Sequence, residues 1–340
     1  MRQLAIIHYG TAEEAFRLQE GDDPKPLEFE VLVEVEGFGL NYADVMARNG
    51  LYKEAPKIPF VPGYEVVGKV VDRGSEVPDA VVGKRVVAFT RFGGYADRAL
   101  ADYRGLALIP EAMPAGEACA LATQYCTAYF MSNYLSRLHA GDIALIHACA
   151  GGVGTALTQL CQLQGVRVVG LCSTDEKVAY LKKMGVEWPI NYHKEDYTEA
   201  VEKKFGKRKL DVIFNSVAGK STKRDLNLLA PGGRLFCYGG AARSGQKSKL
   251  VYDLAFLLKT GFLSPLFMMM NSQGLIGVNM LRVADQRIEI IGACLHALIG
   301  MWKKNDIRPQ VGASFSASDI VAAHRLLESG KSTGKVYVHW

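Results

Sequence analysis

The octet HACAGGVG, residues 147–154, sits directly between the apolar run DIALI and the periodic stretch GTALTQLCQLQG. A strand that turns through glycines into a helix brings no side chain between the turn and a group approaching the first helical N–H donors. Gly151 and Gly154 fall on the second and third glycines of a G-x-G-x-x-G pattern, and Cys149 stands at the first. Ala148, Gly151 and Gly154 instead match an A-x-x-G-x-x-G form. The strand VRVVGLC follows the helix, so the loop lies in a β-α-β unit and is read as nucleotide-binding.

The same alternation runs on through DEKVAYLKKMG, LDVIFNSVAG, STKRDLNLLAPGG and RLFCYGG. Apolar strands separated by helices imply a parallel sheet covered on both faces. The first third has a different texture: RQLAII, EVLVEVEGFGL and GYEVVGKVVDRG read as strands set apart by Pro and Gly. The last strand, in GKVYVHW, is too isolated to stand alone and is expected to return to the N-terminal β domain. The expected fold is α/β, with residues 1–118 and 281–340 forming a β domain around an inserted doubly wound nucleotide domain, 119–280. A length of 340 residues suits two domains.

Beyond the second strand the chain reads CSTDEK. NAD binders carry a carboxylate at this strand end for the ribose hydroxyls, whereas a 2′-phosphate needs donors and positive charge. Ser173 and Thr174 offer hydroxyls and Lys177 a cation, which favours NADPH over NADH. Asp175 is read as a helix N-cap, and the plain alternative for Lys177 is an exposed helical lysine.

The net charge of +5 comes from 40 basic residues interspersed with 35 acidic ones, so no nucleic-acid partner is expected. Seven cysteines include no C-x-x-C pair and read as reduced core thiols. With an N-terminus that resembles a first strand rather than a signal peptide, a cytoplasmic setting follows. Residues 260–281 carry no charge and are long enough to cross a bilayer. Their glycines, proline and central NSQ oppose insertion, so burial at an interface is expected, with a shallow apolar hairpin as the alternative.

The ordered set NYADVMARNGLY, PGYEVVGKV, GGYAD, ACAGGVGTALTQLCQ and SGKSTGKVYV resembles the medium-chain dehydrogenase/reductase superfamily, and within it the zinc-independent quinone oxidoreductase group. GVEWPINYHKEDY, YGGAARSGQKSKL and NMLRVADQRIE are most similar to the synaptic vesicle amine-transport homologue branch. The resemblance implies a GroES-like N-terminal barrel with an inserted Rossmann domain. It also implies that Asn41 and Thr127 approach the nicotinamide, while Gly151, Gly152 and Val153 line the pyrophosphate. Ser173 and Lys177 would hold the 2′-phosphate, and Tyr192 would pack on the adenine or, alternatively, belong to the core. Asn215, Val217, Tyr238 and Gly239 would line the inner cleft.

Zinc-dependent relatives use a cysteine near position 41, a His-Glu pair after Pro-Gly and a lobe of four cysteines. Here the positions hold Asn41, then Tyr64 and Glu65, and no metal is expected. Metal-free reduction of a quinone or α,β-unsaturated carbonyl needs orientation, a dry site and a proton source. By resemblance to the enoyl-reductase relatives Tyr52 is a candidate catalytic hydroxyl, as is Tyr64, which stands where the zinc-binding histidine would be; solvent is the alternative proton source. Asp44 and Arg48, one turn apart, read as a structural ion pair. His147 reads as a packed, hydrogen-bonded histidine, and Lys203, Lys204, Lys207, Arg208 and Lys209 as a solvated basic cluster. GLIGVNM is taken as an edge strand available to a second copy, giving a homodimer. The competing reading is a membrane-trafficking or lipid-binding protein that retains the nucleotide-binding fold, with only peripheral membrane contact.

Overall fold

Apolar and β-branched runs of the first third form β1 (Arg2–Ile6), β2 (Phe16–Glu20), β3 (Glu30–Leu40), β4 (Glu65–Arg73), β5 (Arg85–Phe89), β6 (Arg98–Asp102) and β7 (Leu106–Leu108). The strand β3 is long enough to use both edges: β4 pairs along one, while β6 takes its first half on the other. In this computed structural model, which describes residues 1–240 and 264–340, the chain divides into two compact units. One is Met1–Thr127 with Met280–Trp340, and the other is Ala128–Asn279.

The division falls later than position 118 because the helical stretch from Ala115 to Thr127 is tied to the β unit. Trp302 Nε1 donates to Glu117 Oε2 at 2.6 Å, and Thr123 bonds Glu65. Its middle, Leu121–Tyr125, is a π-helical segment, a local widening that frequently marks functional positions.

In the second unit β8 (Ile143–Ile146), β9 (Arg167–Cys172), β10 (Trp188–Asn191), β11 (Leu210–Asn215), β12 (Leu229–Cys237) and β13 (Gly274–Gly277) make one sheet, every pairing parallel. Its order is β10-β9-β8-β11-β12-β13. The chain therefore winds outward from β8 in one direction, then restarts at β11 and winds in the other. The C-terminal ends of β8 and β11 form the switch point where such sheets accept ligands. Leu145, Val169, Ile213 and Leu235 from four successive strands supply the centre of the core.

The segment at 260–281 is no continuous helix: within it lie the short helix Pro265–Asn271, a left-handed Ser272 (φ +49°) and β13. Residues 260–263, and all of YGGAARSGQKSKL beyond Gly240, lie outside the described residues. Among the described residues no helix is long and apolar enough to cross a membrane.

The chain then re-enters the first unit through the helix Met280–Lys303, which the sequence reading had not assigned. It kinks at Arg287 and buries Ile291, Leu295, Leu298 and Ile299. Gly292 lets it lie against the carbonyl of Arg104, where a Cβ has no room. The strands β14 (Val311–Ser316) and β15 (Lys335–His339) close the unit. As expected, the last strand returns: β15 pairs antiparallel with β3, placing Val336 opposite Leu40.

Candidate functional site

The glycine loop at the end of β8 is a tight turn in which Gly151 N donates to the Ala148 carbonyl at 2.9 Å. Ala148 carries the left-handed conformation (φ +48°) that glycine adopts without strain. Gly152 opens the helix Gly152–Leu163, and no side chain caps it. Its first N–H groups, those of Gly152 and Val153 among them, lie beyond the reach of intrahelical acceptors, and both residues are partly exposed. Gly154 has a different duty, since a Cβ there would stand 2.5 Å from the Ala148 oxygen and the Cys149 Cα. This is the close approach of helix to strand.

Cys149 is not glycine because its side chain leaves the loop. It fills the space beside Gly170 on β9, and its sulfur lies 3.3 Å from Thr158 Oγ1. Burial pushes this thiol up to about 12, so it stays protonated.

At the end of β9, Thr174 caps the helix Asp175–Lys183 by accepting from Lys177 N at 3.3 Å. The expected cap, Asp175, is instead the first helical residue. Its carboxylate accepts from Asn191 Nδ2 at 2.9 Å and Lys194 Nζ at 2.5 Å, hydrogen bonds that hold it below the usual carboxylate range. Ser173 and Lys177 are both partly buried, and desolvation lowers the Lys177 ammonium from its ordinary value. Tyr192 is no core residue: it is exposed, with its N–H bonded to Cys172 O at 3.1 Å, next to the β9 end.

At the end of β11, Asn215 is fully buried and folds the next loop over itself. Its Oδ1 accepts from Val217 N at 2.7 Å and Ala218 N at 2.8 Å. Tyr238 N donates to Asn215 O at 3.1 Å, and Gly239 lies against Ser216, where a Cβ would meet the carbonyl at 2.5 Å. Asn215, Val217, Tyr238 and Gly239 thus converge. His147 is hydrogen-bonded in the packing, as expected, and its partner is Asp225.

The first unit holds a second constellation. Asn41 Nδ2 donates to both oxygens of Glu65 at 2.9 and 2.8 Å. Lys335 Nζ forms an ion pair with Glu65 and donates to Leu40 O at 3.2 Å, and Thr123 donates to the other Glu65 oxygen. Thr127 sits one turn on, its hydroxyl bonded to Thr123 O at 2.6 Å. Asn41 and Thr127 are therefore linked through Glu65 and Thr123. Gly39 makes this possible, because a Cβ there would overlap both Glu65 and Lys335.

Asp44 and Arg48 do not pair. Arg48 turns to Glu328 Oε2 at 2.7 Å, and Asp44 accepts from Asn41 N at 2.7 Å, its other oxygen buried without a hydrogen-bond partner. Burial pushes this carboxyl up to about 8. Tyr52 and Tyr64 meet edge to face at 6.2 Å between ring centres. Desolvation raises Tyr52 to about 12 and Tyr64 well above the ordinary phenol value, and the Tyr64 hydroxyl has no hydrogen-bond partner.

Sequence reasoning missed Thr123, Lys335 and Asp225. Lys335 left one trace, a lysine opening an otherwise apolar final strand. Among the described residues no three His, Cys, Asp or Glu side chains cluster as a metal site.

A doubly wound parallel sheet with a glycine turn at its switch point, inserted into a β unit closed by the C-terminal strand, defines the two-unit dehydrogenase architecture. Residues 28–116 match the alcohol dehydrogenase GroES-like domain, and 152–295 the zinc-binding dehydrogenase domain. The chain is 31% identical over 337 residues to the synaptic vesicle membrane protein VAT-1 homolog of Danio rerio, covering 98% of this chain and 69% of that one. It is 25% identical to human quinone oxidoreductase over 99% of this chain and 97% of that protein. A mycobacterial protein solved with NADPH superposes with a TM-score of 0.86 at 26% identity, over the full length of both chains. The chain belongs to the zinc-independent medium-chain dehydrogenase/reductase family, in the group that contains the VAT-1 homologues and the quinone oxidoreductases.

Proposed function

We propose that the protein is an NADPH-dependent oxidoreductase that reduces a small apolar electrophile, a quinone or an α,β-unsaturated carbonyl, without a metal ion. The observation that carries the reading is the uncapped helix start at Gly151 and Gly152, at the switch point of a parallel sheet whose next strand, β9, is followed by Ser173 and by Lys177 in the first turn of the next helix. These groups suit a dinucleotide bearing a 2′-phosphate. At the start of the helix Asp175–Lys183 the Asp175 carboxylate is taken up by Lys194 and Asn191. Glycines at 151 and 152 leave the approach to the first N–H groups open.

When bound, the reduced nicotinamide supplies a hydride. The chain's own groups then orient the acceptor and hold a proton. Tyr52 and Tyr64, kept protonated by burial, are the candidate donors to the oxygen that gains charge. The donor set argues against zinc, because Asn41 and Tyr64 replace cysteine and histidine, and Glu65 is already engaged by Lys335. Human quinone oxidoreductase and the mycobacterial NADPH complex support the same direction. The seven free cysteines, six of them buried, fit a reducing, cytoplasmic setting. The test is oxidation of NADPH by the purified protein across a panel of quinones, enones and enals. Tight NADPH binding with no turnover on any electrophile overturns the reductase assignment.

A second copy is proposed to cover β13, which among the described residues pairs with β12 on one edge only. A monomeric mass at micromolar concentration overturns this. The lipid-binding reading is favoured by one observation. Leu266, Phe267, Met269 and Met270 are exposed on one short helix, which Arg208 Nη1 ties to the basic turn through Asn271 Oδ1 at 3.0 Å. Flotation with anionic vesicles but not neutral ones, without turnover, would favour it.

A further inference from the structure

Asp225 lies on the helix Lys220–Leu228 with its side chain wholly excluded from solvent. Its carboxylate gathers donors from three other elements. Tyr197 OH, from the helix Tyr197–Phe205, donates to Oδ1 at 2.9 Å. His147 Nε2 lies 3.1 Å from Oδ1 and 3.0 Å from Oδ2. Asn215 Nδ2 donates to Oδ2 at 2.5 Å. A carboxylate only accepts, so it fixes the histidine tautomer with hydrogen on Nε2 and turns the Asn215 amide so that its oxygen faces the Val217 and Ala218 N–H groups.

The two residues gripped are not arbitrary. His147 is the last residue before the glycine loop, and Asn215 is the last residue of β11. The ends of β8 and β11 are adjacent at the switch point, His147 N itself bonding Phe214 O at 3.0 Å. A single buried anion therefore ties together the roots of both loops. Ser221, on the same helix as Asp225, reinforces one of them by accepting from Asn215 and donating to the Ala218 carbonyl at 3.0 Å.

We infer that Asp225 is a positioning residue for dinucleotide binding, which sets the spacing and orientation of the glycine loop and the 215–218 loop from beneath. The inference rests on the NADPH reading of the same loops. Asp225 touches neither the nucleotide nor the acceptor in this role, so its loss acts on cofactor affinity and leaves the reacting step intact. Tyr197 supplies the internal contrast. It bonds the same carboxylate but belongs to a helix that carries neither loop.

The experiment titrates NADPH by fluorescence into the full-length wild type, Asp225→Asn, His147→Phe and Tyr197→Phe, each held below its own Tm. Asp225→Asn and His147→Phe are expected to raise the NADPH dissociation constant about tenfold or more, with kcat at saturating NADPH within about twofold of wild type. Tyr197→Phe is expected to lower Tm while leaving the dissociation constant unchanged. If Asp225→Asn fails to fold, His147→Phe carries the test alone, since it removes the carboxylate's hold on the β8 end. Unchanged NADPH affinity in folded Asp225→Asn and His147→Phe overturns the inference. So does an affinity loss in Tyr197→Phe equal to theirs, which would report general loosening. A wild type that binds no NADPH defeats the dinucleotide reading itself, and the inference falls with it. That result is distinct from normal wild-type binding with unaffected variants.

Discussion

Lys335 and Glu65, 270 residues apart in sequence, form an ion pair in which neither side chain has measurable contact with solvent. Removing one member strands the other charge in a medium that solvates it poorly, and Glu65 also anchors Asn41 and Thr123. Lys335→Met or Glu65→Gln alone is expected to lower the unfolding free energy by about 3–5 kcal/mol. The double variant is expected to recover a substantial part, because no uncompensated charge is left. Urea denaturation of the four proteins measures this, and strictly additive losses would refute the coupling.

Asp44 makes stability depend on pH in an unusual direction. Its folded carboxyl titrates at about 8, against about 4 for an unfolded aspartate. Between those values the folded state holds a proton that the unfolded state has released. Stability is therefore expected to fall as pH rises from about 4 to about 8, and to level off above. Asp44→Asn removes this contribution. The gap between the two unfolding free energies should shift in favour of the variant from pH 5 to pH 8.5, and a gap constant with pH would contradict the assignment.

The glycine turn and the returning last strand were legible because each is a local necessity. A strand-to-helix turn needs backbone freedom, and an apolar strand without sequence neighbours needs a partner sheet. Asp44 and Arg48 were read as a pair from their helical spacing, yet Arg48 bonds Glu328 across the unit. Asp225 was invisible in STKRDLNLL, where a charged residue amid polar ones resembles a solvated face. Its burial depends on His147 and Tyr197, which no local pattern connects to it. Cys149 became intelligible only beside Gly170, the small residue that makes room for it.

The two loop glycines should separate experimentally. At Gly154 an added methyl meets backbone atoms at 2.5 Å that cannot move independently, whereas at Gly151 its nearest neighbour is the Ala148 oxygen at 3.2 Å. Gly154→Ala is expected to cost about 3 kcal/mol of stability through overpacking. Gly151→Ala should lower Tm far less than Gly154→Ala while weakening NADPH binding. Thermal denaturation paired with fluorescence titration distinguishes them, and equal effects on Tm would contradict the assignment.

Tyr52 and Tyr64 make opposite predictions for stability and turnover. The Tyr64 hydroxyl is buried without a hydrogen-bond partner, so Tyr64→Phe should leave stability unchanged or raise it by about 1 kcal/mol. If Tyr52 supplies the proton, Tyr52→Phe lowers kcat by about 100-fold with little change in the KM for NADPH. Since burial lifts the Tyr52 phenol to about 12, wild-type turnover should show no loss attributable to this group up to pH 9. Steady-state kinetics of Tyr52→Phe and Tyr64→Phe beside the wild type decides between Tyr52, Tyr64 and solvent as donor, since a loss of kcat in neither variant leaves solvent.

Lys177 is the residue proposed to carry the cofactor preference. Its partly desolvated ammonium belongs to the first turn of the helix that follows β9, and its N–H bonds the Thr174 cap. A hydrogen bond between this charge and a 2′-phosphate is worth about 1.5–3 kcal/mol, so Lys177→Ala should raise the KM for NADPH by roughly 10- to 100-fold. NADH lacks the phosphate, and its KM should change by less than about twofold on the same scale. Because Asp175 is paired with Lys194, Lys194→Ala leaves its negative charge without a cation, Asn191 alone still bonding it. That variant should weaken NADPH binding more than NADH binding, through repulsion of the 2′-phosphate. Parallel losses for both cofactors in Lys177→Ala would place the lysine outside the phosphate site.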